Sequence, residues 1–205
     1  MKLLTILVGF AISSNTCEEG WTVLGPDSGE VGYNSCFRLT CVTSLSLILD
    51  WFEAKSACEA ENGWLAHVQF DSMNSKIYAL AMEDGTMDPY RPDIWIGGSD
   101  HGVDKSWIDT NGTPLTYYNW WTEPALHPNP DFSTVGPGST EPEPYRYHCG
   151  GSSTNSYPGC CIYIGNLPLE QLETGEWIRG HRWRAGQCHN PFWSKCYACE
   201  KGTVL

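Results

Sequence analysis

Between Asp50 and Gly63 the apolar residues recur at helical spacing, with Trp51, Ala54, Ala57 and Cys58 on one face. Asp50 stands where a helix would be capped, Glu53 follows three residues later, and Asn62-Gly63 supplies the stop. This predicts a helix that turns Cys58 into the core as a structural half-cystine. Met73, Ile77 and Leu80, after Asp71-Ser72 and before Gly85, predict a second helix by the same spacing. Elsewhere the period shortens. Cys36-Phe-Arg-Leu-Thr40 alternates as a strand does, and the turn-rich residues before it predict a small hairpin closed by Cys17 and Cys36. Asp93-Ile-Trp-Ile-Gly-Gly98 is a short apolar strand ending where a backbone bend or close approach is needed. Ser106-Trp-Ile-Asp109 and Leu115 to Trp121 flank the turn Asn111-Gly112, which predicts a second hairpin.

From Glu123 to Cys160 the periodicity stops. Seven of the thirteen prolines fall here, so this is a long excursion rather than a second domain, restrained at one end by a local staple from Cys149 to Cys160. Cys161-Ile-Tyr-Ile164 resumes a strand, and Leu167 to Gly175 reads as another connection. The stretch Trp177 to Glu200 is then expected to be the closing strand of the domain, with Phe192, Trp193, Tyr197 and Ala198 packed beneath it. Its cysteines, Cys188, Cys196 and Cys199, are expected to be tied to earlier elements.

Residues 1–13 change this picture by adding a secretory signal: one cation, Lys2, an apolar run from Leu3 to Phe10, and the small residues Ala11 and Ser13. No later stretch has the ~20 apolar residues of a membrane span. Residues 17–201 are expected to form one domain, and the ten cysteines after the signal fit a disulfide framework in an oxidising, extracellular setting. The formal charge of -12 argues against nucleic acid and anionic membranes as partners.

Taken together, several motifs resemble the C-type-lectin-like domain. They are Cys17 to Trp21, Ser35-Cys36-Phe37, Ala54 with Cys58, Gly63-x-Leu65-Ala66, Trp95-Ile-Gly-Gly98 and Trp107-x-Asp109. Asn119-Trp120 before Glu123-Pro124, Trp183 five residues ahead of Cys188, and Cys199-Glu200 complete the set. The resemblance implies an α+β, disulfide-rich fold: two helices flanking a small two-part antiparallel sheet, with a long loop at about 123–160. It implies bridges Cys58–Cys199 and Cys17–Cys36, and a third from Cys188 to the cysteine opening the next strand, assigned to Cys161 with Cys160 the alternative. Cys149–Cys160 and Cys41–Cys196 take up the remaining four.

The resemblance also implies a secreted recognition protein that binds carbohydrate. In sugar-binding members a Glu-Pro-Asn-type triplet and a Trp-Asn-Asp triplet hold calcium, which needs six to eight oxygen ligands. Here the triplets read Glu123-Pro124-Ala125 and Trp183-Arg184-Ala185, so a calcium site of the usual kind is not expected. A shifted loop offers only Glu123, Asn129 and Asp131 as weak candidates, with Glu141 or Glu143 adding oxygens. Candidate ligand-binding residues are Glu123, Trp121, Asn129, Asp131, Tyr145, Tyr147 and Arg184, while Trp120, Trp183 and Trp193 are expected to pack in the core. The partner is a glycan, or an extracellular protein engaged without calcium; a matrix or mineral role for the acidic surface is a third reading. Asn111-Gly-Thr113 is a glycosylation sequon. The six histidines show no metal-ligand spacing and read as surface residues, and no nucleophile elbow or phosphate loop is present, so the chain is not expected to be an enzyme.

Overall fold

The computed structural model describes residues 17–24, 35–42, 48–83, 93–100, 107–120, 160–171, 174, 177–189 and 196–202. Among the described residues seven strands and two helices are ordered β1 (Thr22–Leu24), β2 (Ser35–Cys41), α1 (Trp51–Glu59), β3 (Trp64–Leu65), α2 (Asp71–Glu83), β4 (Ile94–Ser99), β5 (Cys160–Gln171), β6 (Trp177–Gln187) and β7 (Cys196–Gly202). The strands form one sheet in the order β1-β2-β7-β4-β5-β6, with β3 added to β7.

The sheet has two antiparallel parts. In one, β2 runs along β7 from Ser35↔Gly202 to Cys41↔Cys196, flanked by β1. In the other, β5 pairs with β4 and β6. They meet in a short parallel seam, Ile94↔Cys196 and Trp95↔Tyr197, so the sheet is mixed rather than wholly antiparallel. Sequence periodicity fixes which face of a strand is buried but not the direction of its neighbour, which is why the seam is invisible to it.

Helix α1 forms as its capping residues dictate. The Asp50 side chain accepts from Glu53 N at 2.8 Å, and Glu53 reaches back to Asp50 N at 2.9 Å. Such a box satisfies two backbone donors and contributes about 1 kcal/mol. Trp51, Ala54 and Cys58 are buried against Leu65, Trp95, Cys161, Tyr163 and Cys199 on one side of the sheet. Helix α2 covers the other side, against Ile94, Ile96, Ile162, Ile164 and Trp183. Alternate residues of β4 and β5 therefore enter opposite cores, as strands buried on both faces must do. The buried face of α2 is Met73, Asn74, Ile77 and Ala81; Leu80, expected there, is half-buried beside it.

Three expectations about strands need correction. The segment around Asn111 is not a full hairpin: single bridges Ser99↔Ile108 and Ile108↔Pro114 hold it. Leu167 to Gln171 is strand, not connection, because β5 and β6 form one long hairpin. Its Pro168 lies beyond the Ile94↔Ile164 end of the β4 pairing, where the register of β5 against β6 slips, a place that tolerates a missing N–H. The closing stretch is two strands in different halves of the sheet, and Phe192 and Trp193 lie outside the described residues.

The bridges Cys17–Cys36, Cys41–Cys196, Cys58–Cys199 and Cys161–Cys188 are present. Cys160 is also disulfide-bonded, and Cys149, its expected partner, lies outside the described residues. Cys58–Cys199 spans 141 residues, a closure worth about 5 kcal/mol in the loop-entropy account. Gly97 meets the backbone of β3: a Cβ there would lie 2.4 Å from the Leu65 oxygen.

Candidate functional site

Strand β6 carries Trp183, Arg184 and Ala185, and neighbouring side chains hold it in place. Trp183 N donates to Asn119 O at 2.7 Å, and Trp120 bridges to Trp183. This fixes Asn119 and Trp120 against β6. Trp183 is 1% exposed, with the rings of Tyr117 and Trp120 edge-on to it at 5.3 and 5.6 Å. Its Nε1 donates to Asn74 Oδ1 at 2.8 Å. Asn74, wholly buried on α2, donates its own Nδ2 to the His181 carbonyl at 3.0 Å, which also accepts from Asn119 Nδ2 at 3.2 Å. One amide thus satisfies a donor and an acceptor of β6 in an interior where leaving either unmade is costly.

Further out along the same seam, the groups are half-exposed. The His181 ring stacks on Tyr78 at 5.3 Å, and its Nε2 lies 2.9 Å from Ser75 Oγ. Burial lowers the His181 pKa; Asp71 acts in the opposite direction and Arg182 reinforces the lowering. The Tyr117 hydroxyl donates to Asp71 Oδ1 at 3.2 Å, and burial together with Asp71 raises its pKa. Burial likewise raises the pKa of Tyr163 on the other face of the sheet.

The second family triplet offers no oxygen side chain. Arg184 is half-buried and sits opposite Tyr163 on β5, where its charge opposes the rise in the tyrosine pKa. Ala185 is buried in the core on the α2 side. An indole, a guanidinium and a methyl group are not calcium ligands. Among the described residues no group of three or more His, Cys, Asp or Glu side chains could hold a metal ion. The described part of the site does not fit calcium.

Of the other residues singled out by sequence, Trp121, Glu123, Asn129, Asp131, Tyr145 and Tyr147 lie outside the described residues, as do Glu141 and Glu143. Asn111, Gly112 and Thr113 are exposed; the turn is held by Asp109 Oδ1, which accepts from the backbone N–H of Asn111 and of Thr113 at 2.8 Å each.

The family model of the lectin C-type domain matches residues 48–154, just over half of the 205-residue chain. The chain belongs to the C-type lectin domain family. The secretory phospholipase A2 receptor of Oryctolagus cuniculus is 25% identical to it over 190 residues, 86% of this chain and 12% of the receptor. The C-type mannose receptor 2 of Mus musculus is 24% identical over 194 residues, 92% of this chain and 11% of that protein. The chain therefore spans only about an eighth of the length of these receptors. Among solved structures, the cow C-type carbohydrate-recognition domain of CD23 superposes with a TM-score of 0.53 at 17% identity, covering 94% of this chain and all of that one. That likeness shows the fold.

Within this C-type lectin domain, sequence reasoning missed the polar seam between α2 and β6. Asn74 belongs to no motif, although its place one position from Met73 and three from Ile77 puts it on the buried face. The histidines are not uniformly on the surface. His181 is half-buried, and His67, with a side chain 15% exposed, lies 3.4 Å from Asp109. His189 is exposed, while His101, His127 and His148 lie outside the described residues.

Proposed function

We propose that this chain is a secreted recognition module that binds carbohydrate without the calcium ion on which sugar-binding members of its family rely. The observation that carries this reading is the composition of the second triplet, where Arg184 and buried Ala185 stand in place of two oxygen ligands. The disulfide framework and the signal-like residues 1–13 support secretion. In that setting exposed Asn111 is the acceptor for an N-linked glycan. Carbohydrate as the ligand class rests on family membership and on the mannose receptor among the relatives. Trp121, Tyr145 and Tyr147 are the aromatic candidates that sequence offers to this reading.

A glycan array probed with the secreted, disulfide-complete protein, once in calcium and once in chelator, tests it. Binding that persists in chelator is expected. Binding lost in chelator and in Glu123→Ala would overturn the calcium-independent reading. Silence in both conditions would favour a second reading, an extracellular protein ligand. That reading draws on the phospholipase A2 receptor among the relatives, which is named for a protein ligand.

A further inference from the structure

The seam between α2 and β6 places chemistry suited to a sugar on the surface, apart from the family's metal triplets. Asp71, Ser75 and Tyr78 lie on α2, Tyr117 on the segment before the excursion, and His181 on β6. Asp71 is exposed and the other four are half-buried. A pyranose has an apolar C–H face and a rim of hydroxyls, so it needs an aromatic surface bordered by fixed donors and acceptors. Here the stacked pair Tyr78 and His181, together with Tyr117, provides rings. The Asp71 carboxylate, Ser75 hydroxyl and Tyr117 hydroxyl provide the polar rim. Among the described residues Asp71 accepts a hydrogen bond on Oδ1, from Tyr117, which leaves Oδ2 for a ligand hydroxyl.

The patch is also held rigidly. Behind it, buried Asn74 binds both the His181 carbonyl and the Trp183 indole, so the helix and the strand cannot slide without breaking buried hydrogen bonds. Groups mounted on a helix and a strand and locked from behind lose little freedom when a ligand binds. Arg184 lies on the opposite face of β6, since successive residues of a strand alternate. The patch is therefore separate from the substituted metal position.

We infer that the α2–β6 seam, built by Asp71, Ser75, Tyr78, Tyr117 and His181, is a carbohydrate subsite that holds a pyranose ring by stacking and direct hydrogen bonds, with no metal between. The inference rests on the calcium-independent reading above and gives it a location.

The test applies the glycan array in chelator to the secreted full chain and to Asp71→Asn, Tyr117→Phe and Tyr78→Ala, with Lys55→Ala on α1 as a remote control. The first two changes keep side-chain size and leave the aromatic packing in place. A drop of tenfold or more in apparent affinity for Asp71→Asn and for Tyr78→Ala is expected, with a smaller one for Tyr117→Phe, unchanged melting for Asp71→Asn, and no effect of Lys55→Ala. Wild-type binding in chelator that none of the three variants weakens would overturn the location while leaving the calcium-independent reading intact. Wild-type binding that needs calcium, or no binding at all, would overturn both.

Discussion

The indole nitrogen of Trp183 on β6 donates to the amide oxygen of Asn74 on α2 across 2.8 Å, joining residues 109 positions apart in the chain. Because Trp183 also anchors Asn119, this contact ties the second helix, the edge of the sheet and the Asn119 segment into one unit. Asn74→Ala removes the acceptor of a buried indole N–H and opens a small void. The Asn119 amide still serves the His181 carbonyl, so the loss is limited to about 2–3 kcal/mol. Chemical denaturation of the variant measures it, and Asn74→Asp is expected to be no better, since it adds a buried charge and removes the donor to His181.

Acidification weakens the same seam. His181 has a pKa below its unfolded value, so the unfolded chain takes up a proton first as pH falls. The stability it contributes is complete above about pH 6.5 and is lost as pH falls from there through the lowered folded value. Around the ring, Asp71 favours the proton, Arg182 opposes it, and neutral Ser75 and Tyr78 pack against it. Denaturation midpoints between pH 7 and 5 should fall more steeply in the wild type than in His181→Gln.

Gly97 is required by packing and not by backbone conformation. In Gly97→Ala the new Cβ would meet the Leu65 oxygen at 2.4 Å and its carbonyl carbon at 3.1 Å, so β3 and β4 must separate. A loss of about 3 kcal/mol is expected from such overpacking, read as a lower melting temperature with the disulfides intact.

Replacing Cys58 and Cys199 together by Ala should cost about 2–5 kcal/mol. Cys41–Cys196 remains to hold β7 against β2, so the variant should still fold at low temperature. Peptide mapping that found Cys196 joined to any cysteine other than Cys41 would contradict the strand register itself.

Much of this architecture could be read from residues. The Asp50 and Glu53 cap and the apolar face of α1 each follow from a local rule and are realised locally, whereas Gly97 and Gly98 do not end β4, which runs on to Ser99, and the close approach expected of them is to Leu65 and Ile162. What escaped depends on partners distant in sequence. Leu167 and Pro168 look like a connection until β6 is seen pairing alongside them. The parallel seam at Ile94 and Cys196 has no signature within either strand. For the site, the replacement of metal ligands by Arg184 and Ala185 was legible because the triplets are local motifs. The Asp71, Tyr117 and His181 cluster was not, since three separate elements bring it together.

Calcium titration of the disulfide-complete protein by calorimetry tests the central claim most directly. With Arg184 and Ala185 in the second triplet, no site tighter than the millimolar range is expected, and chelator should leave the melting temperature unchanged. A micromolar site that disappears in Glu123→Ala would show that the excursion rebuilds the metal centre with its own oxygens, and would contradict the account.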